Sequence, residues 1–211
     1  HKEFNLDKHP RRDLEFVMGL GAFQLLQNGR RVREDFLMPA WTDYKDSVHY
    51  STYDLTYQIT KGRNAIGMML GNSMYHIPPE RYAKFRGSFG PPRAILQLRL
   101  EYADGSVENI VTDETWKAAP SPITFSSIYG GEDYDARLEQ DKWFEPGFDD
   151  SNWTSAKLSS GPGGRLVSAI APPLRVRNGL VGPKVVTEPK PGAINVSNVY
   201  FTSPEESVLP L

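Results

Sequence analysis

At 211 residues the chain has room for one domain of ordinary size plus an extra segment, and for a core that needs neither disulfide nor metal. It contains no cysteine, which excludes disulfides and thiolate metal sites, and its 24 basic and 26 acidic residues leave a net charge of −2 with no basic stripe, which argues against a nucleic-acid partner. Eighteen glycines, 17 prolines and 11% aromatics suit a turn-rich β domain better than a helical bundle.

Nearly every strong local signal along the chain is a strand or a turn. Residues 16–20 lead into the apolar stretch 23–26, and Asn28-Gly29 follows, the dipeptide best suited to the positive φ angles of a tight hairpin. The stretch "MPAWTDYKDSVHYSTYDLT", residues 38–56, is rich in aromatics and aspartate and poor in aliphatic side chains. Its first part reads as a loop and its second as a strand, with Tyr50 and Tyr53 on opposite faces and one of them in the core. Residues 64–70 form a short apolar run of buried-strand length. Residues 95–102 alternate, with Leu96, Leu98, Leu100 and Tyr102 on one face and Gln97, Arg99 and Glu101 on the other. Asp104-Gly105 then turns the chain into 107–112, a second hairpin. No stretch carries a 3.6-residue stripe over three turns. The pattern predicts an all-β fold, a β-sandwich or jelly roll.

A glycine- and serine-rich run at 159–164 marks a break. The expected division is a domain over 2–158 and an extended C-terminal segment over 159–211, proline-pinned at first and weakly patterned in its last twenty residues. No apolar run approaches the ~20 residues of a membrane span. No signal peptide precedes the abrupt start at His1, which reads as a tag residue.

Catalytic patterns are scarce. The other histidines (His9, His49 and His76) fall at no metal-ligand spacing and read as surface or turn residues. Gly71-Asn72-Ser73-Met74-Tyr75 lacks the last glycine of a nucleophile elbow, and Gly19-Leu20-Gly21 lacks the third glycine of a dinucleotide loop. Glycosidases work with a pair of carboxylates, and Glu34-Asp35, Glu132-Asp133 and Asp149-Asp150 are the candidates. Adjacent residues on a strand face opposite ways, so these pairs read as turn and surface groups. Aromatics are more suggestive. Trp41, Tyr44, Tyr50, Tyr53, Tyr75, Tyr82, Phe85, Phe89, Tyr129 and Tyr134 lie around polar and glycine-rich loops. Sugars stack their C–H faces on such rings and bond their hydroxyls to amides and carboxylates. Rings filling the ends of a sandwich, with their polar tips wet, are the competing reading.

The ordered series "GLGAFQLLQNGRRV", "LMPAWTDYKDSVHYSTYDLT", "GRNAIGMMLGNSMY", "QLRLEYADGSVENIVTDETWKAA", "IYGGEDYDARLE" and "FEPGFDDSNWTSAKL" closely resembles the N-terminal non-catalytic domain of bacterial α-L-rhamnosidases, from about residue 2 to Thr187. The resemblance implies a jelly roll of the galactose-binding type within a periplasmic or extracellular glycoside hydrolase. It also implies that the whole enzyme cleaves terminal α-L-rhamnose by an inverting water attack, with the carboxylates in an α/α-barrel far downstream. From Ala193 the chain departs from the family pattern, which fits a truncated or shifted reading frame or a natural stand-alone domain. The implied role is accessory carbohydrate recognition without catalysis by this chain. The alternative is a domain that braces the barrel and binds nothing. Implied partners are rhamnose-containing glycans and the parent enzyme's other domains. No cofactor is expected beyond calcium, which some family members use to bind rhamnose and which the resemblance does not place.

For a bound sugar, the expected contacts are Trp41, Asp43 and Tyr44 from the first loop, with Asn72, Tyr75, Arg81, Tyr82 and Lys84 from the second segment. Loops on a rigid scaffold are where binding residues concentrate. Met74 stands where the family usually has tryptophan, which removes one ring from that surface.

Overall fold

The structure is a computed structural model that describes residues 1–81, 84, 87–175, 201–202 and 208–209. Eight strands come first: β1 (Lys2–Leu6), β2 (Arg12–Leu20), β3 (Ala22–Gln27), β4 (Arg30–Arg31), β5 (Ser47–Asp54), β6 (Gly62–Gly71), β7 (Arg93–Glu101) and β8 (Val107–Val111). Shorter ones follow: β9 (Lys117–Ala118), β10 (Ile123–Ser127), β11 (Gly131–Tyr134), β12 (Thr154–Ser155) and β13 (Arg165–Ser168). Among the described residues the only helix is a single 3-10 turn, Ala136–Leu138.

Two sheets make an all-β sandwich. One has the order β1-β6-β3-β4 and the other β13-β5-β2-β7-β8. The pairs within both are antiparallel, except that β13 runs parallel to β5. A single apolar cluster draws on both sheets: Leu6, Phe23, Leu25 and Ile66 from the first, Val17, Tyr53, Leu96, Leu98 and Leu100 from the second. The alternation in β7 is therefore a true inside–outside pattern, with Leu96, Leu98 and Leu100 each 0% exposed. Tyr53 is buried in this core, whereas Tyr50 lies half-buried on the other face of β5, its ring edge-on to Phe16.

Asn28-Gly29 makes the predicted hairpin between β3 and β4. Both residues have positive φ, 47° and 82°, which a two-residue turn of this hand requires. Asn28 does more than turn the chain. Its Nδ2 donates to Gln58 O and Asn64 Oδ1, both at 2.9 Å, and its Oδ1 accepts from Ala65 N at 2.8 Å. Asn64 is 0% exposed and also bonds Thr60 N, Thr60 O and Gly62 O, so the half-buried Asn28 amide and the buried Asn64 amide are both well satisfied.

Packing extends beyond residues 2–158 at both ends. The first compact unit is His1–Leu174, extending past residue 158, because β13 adds to the free edge of β5 in register Arg165↔Ser47 through Ser168↔Tyr50, and Phe36 bridges to Leu174. The glycine run before β13 is part of the packing: Gly164 N donates to Tyr44 O at 3.1 Å, and a Cβ on Gly164 would lie 2.5 Å from that oxygen. His1 packs into the same unit. Its side chain is 1% exposed, packed edge-on to Phe148 and Trp153, with Nδ1 3.2 Å from Asp150 Oδ2. The second unit is Arg175–Leu211, in which β14 (Phe201–Thr202) pairs antiparallel with β15 (Val208–Leu209). The rest of the expected C-terminal pattern lies outside the described residues.

Candidate functional site

The loop before β5 is wound tightly enough to hold its side chains in place. Asp43 O accepts from Asp46 N at 3.0 Å and Ser47 N at 2.9 Å, Asp43 Oδ1 accepts from Lys45 N at 3.1 Å, and Thr42 Oγ1 donates to Ser47 O at 2.5 Å. Short polar side chains favour such turns because they can bond the backbone two residues on. This winding sends Trp41 and Tyr44 to different fates. Trp41 is 66% exposed, while Tyr44 is 5% exposed and packs with Met18, Leu20, Val48 and Tyr75 on the outer side of the five-stranded sheet.

Tyr44, Tyr75 and Phe89 form a ring cluster, with centroids 5.1 Å apart for Tyr44–Tyr75, 5.2 Å for Tyr44–Phe89 and 5.7 Å for Tyr75–Phe89. Burial pushes the Tyr44 phenol above its usual pKa, with neighbouring Tyr75 adding to the effect. Tyr75 is 0% exposed, and its hydroxyl has no hydrogen-bond partner among the described residues. The two segments expected to act together thus do meet, but through buried rings. Tyr44 and Tyr75 serve as the packed base of the surface, and Trp41, Asp43 and Phe89 are its exposed parts.

Asn72 and Arg81 point elsewhere. Asn72 Nδ2 donates to Ser126 O at 2.9 Å, tying the end of β6 to β10. Arg81 stacks its guanidinium 4.2 Å from the Phe125 ring centroid, pairs with Asp133 and donates to Gly130 O at 3.3 Å. Both side chains brace the β10–β11 hairpin. Lys84 is exposed, and Tyr82 lies outside the described residues, as does Phe85. Of the adjacent carboxylates, Asp133 is held by Arg81, Asp149 Oδ1 accepts from Ser151 N at 3.0 Å, and Asp150 faces His1.

Sequence reasoning did not indicate a second feature, a cleft of about 470 Å³ beside β6. Trp143, Trp153, Met69, Pro120, Tyr134 and Gln140 are among the residues lining it. The indoles of Trp143 and Trp153 are 6.1 Å apart at 32° between planes. Trp143 rests directly on the β6 backbone. A Cβ on Gly67 would lie 2.5 Å from its Cζ3, so only glycine leaves room for the indole there. The tryptophans of "KWFEPGFDDSNW" were the available signal, but nothing in their spacing tells that they meet.

Calcium is bound by oxygen ligands, commonly including several carboxylates. Among the described residues no three His, Asp or Glu side chains come together as a metal-holding group.

Residues 8–178 match the family model of the α-L-rhamnosidase N-terminal domain. An α-L-rhamnosidase of Streptomyces avermitilis is 39% identical over 184 residues, 84% of this chain but 17% of that enzyme, and one from Formosa agariphila is 37% identical over 161 residues, 74% of this chain and 17% of the enzyme. In three dimensions, the α-L-rhamnosidase from Dictyoglumus thermophilum superposes with a TM-score of 0.81 at 42% identity, covering 90% of this chain and 21% of that one. The Streptomyces avermitilis enzyme, solved in complex with L-rhamnose, gives 0.79 at 36% identity over 90% of this chain and 19% of the other. The chain thus spans about one fifth of the enzymes it matches, and it belongs to the α-L-rhamnosidase N-terminal domain family.

Proposed function

We propose that this chain is the accessory carbohydrate-recognition domain of an α-L-rhamnosidase, presenting rhamnose-containing glycans to a catalytic domain that lies elsewhere in such enzymes. The observation that carries the reading is the Tyr44–Tyr75–Phe89 cluster, which fixes the neighbouring loop while Trp41 and Asp43 stay exposed. An exposed indole on a fixed loop offers a stacking platform for the apolar face of a sugar, and the adjacent carboxylate accepts from its hydroxyls. One stacked ring with a few wet hydrogen bonds should bind on the order of millimolar.

Titration with an α-L-rhamnosyl disaccharide, read by NMR shift mapping, tests this. Shifts centred on Trp41, and lost in Trp41→Ala, are expected. Binding that ignores this substitution would remove the loop as the site. The chain alone is expected to turn over no aryl α-L-rhamnoside. Activity that survives rigorous purification and vanishes on replacing Glu132 or Asp133 would refute that.

A bracing role is the second reading. It is favoured by the run 158–174, where Leu158, Leu166, Ile170 and Leu174 are all exposed, the last two at 90% and 60%. Exposed apolar side chains concentrated in one segment are what a contact with further domains would cover.

A further inference from the structure

We propose that the cleft beside β6 is a second, separate binding site, and that it takes a neutral saccharide of one or two pyranose rings. Its volume of about 470 Å³ lies within the ~300–1,000 Å³ typical of small-molecule sites. The near-parallel indoles of Trp143 and Trp153 supply an extended apolar surface, both rings being only partly buried.

Polar groups border that surface with unused capacity. The Trp153 Nε1–H donates to Gln140 Oε1 at 2.8 Å. That bond orients the Gln140 amide and leaves its two N–H donors free for a ligand. Glu139 accepts the Tyr134 hydroxyl on Oε1, which leaves Oε2 as an acceptor. Asp141 is exposed in the same wall. His1 is also among the residues that line the cleft, but its Nε2 is sealed from solvent and has no hydrogen-bond partner among the described residues.

The turn that presents Trp143 is strained as well. Lys142 holds φ at 61°, in the left-handed region, and its carbonyl accepts from Glu145 N at 2.8 Å. Such strain in a non-glycine residue concentrates where a side chain must be aimed.

The chemistry selects among ligands. A purely apolar guest would desolvate Gln140 and Glu139 without compensation. Two carboxylates, Glu139 and Asp141, and two ammonium groups, Lys117 and Lys142, line the cleft, so its charges balance and favour no net charge on the ligand. A neutral ring with apolar C–H faces and equatorial hydroxyls satisfies both the indoles and the fringe. Only the ligand class is shared with the Trp41 reading, since the residues are different.

The four tryptophans provide the test, because each gives one indole N–H signal in a ¹⁵N-labelled sample. Titration with α-L-rhamnopyranosyl-(1→2)-D-glucose should move the Trp143 and Trp153 signals. Trp116, buried with Nε1 bonded to Val111 O at 2.9 Å, should stay fixed and report that the fold is intact. Gln140→Ala should weaken the cleft's apparent affinity about three- to tenfold, the share of one or two hydrogen bonds. Trp41→Ala should leave the Trp143 and Trp153 shifts unchanged. If Trp41 alone moves, the cleft is refuted and the loop reading stands. If Trp143 and Trp153 alone move, the cleft stands and the loop reading falls. No indole shift at sugar concentrations up to about 50 mM, well above a millimolar Kd, would refute both.

Discussion

Replacing Glu15 by glutamine removes a titrating group from the core between the two sheets and should change how stability depends on pH. Glu15 lies on β2 between Tyr53 of β5 and Leu98 of β7, is 0% exposed, and neither carboxylate oxygen has a hydrogen-bond partner among the described residues. Burial pushes its pKa from the ordinary 4.5 up to about 8. A raised carboxyl pKa means that the folded state keeps a proton the unfolded chain releases. Below pH 4.5 both states are protonated and the group contributes no slope. Between pH 4.5 and 8 the folded state binds more protons, so stability falls by up to about 1.4 kcal/mol per pH unit, and above pH 8 the slope disappears. The full loss has a ceiling of roughly 4–5 kcal/mol, a large share of the ~5–15 kcal/mol that holds a domain folded. Asp13, two residues earlier and also buried, is raised to about 7 by burial and adds a smaller effect of the same sign. Urea unfolding of wild type and Glu15→Gln at pH 5, 6, 7 and 8 provides the assay. The amide's intrinsic offset is read at pH 5, and the variant should then gain steadily on wild type, by about 3–4 kcal/mol at pH 8. Parallel stability–pH curves for the two proteins would show that the buried carboxyl does not titrate as its surroundings dictate.

Other substitutions probe different parts of the same reasoning, each by denaturant unfolding. Leu98→Ala should cost roughly 2–5 kcal/mol, since it empties a site between both sheets; a loss below ~1 kcal/mol would mean the strand is not central. Asn64→Ala should cost about 2–4 kcal/mol by leaving Asn28, Thr60 and Gly62 groups unpaired, and a near-neutral result would show water replacing the amide. Gly67→Ala forces Trp143 off β6 and should cost about 1–3 kcal/mol while shifting the Trp143 indole signal but not that of Trp41. An unmoved Trp143 signal would contradict the close approach at Gly67.

Local sequence was decisive wherever the relevant partner lay nearby in the chain. Leu96, Leu98 and Leu100 declared their face by period-2 alternation, and Asn28-Gly29 and Asp104-Gly105 declared their hairpins because backbone sterics alone dictate those dipeptides. The ordered motifs also gave the family. Tertiary structure decided whatever depended on long-range packing. Tyr44 reads like Trp41 in sequence, yet only Tyr44 is drawn into a core, because Tyr75 and Phe89 arrive from elsewhere to cover it. Asn72 and Arg81 read as polar loop groups in sequence, and only the fold shows that both reach the β10–β11 hairpin. Glu15 occupies an ordinary inward position on β2, and nothing local tells that no cation accompanies it there. The boundary past residue 158 followed from an open edge on β5, which gives β13 hydrogen bonds that no property of residues 159–174 announces. Trp143 is also seated by a long-range contact, because a glycine at position 67, far away in sequence, leaves room for its indole on β6.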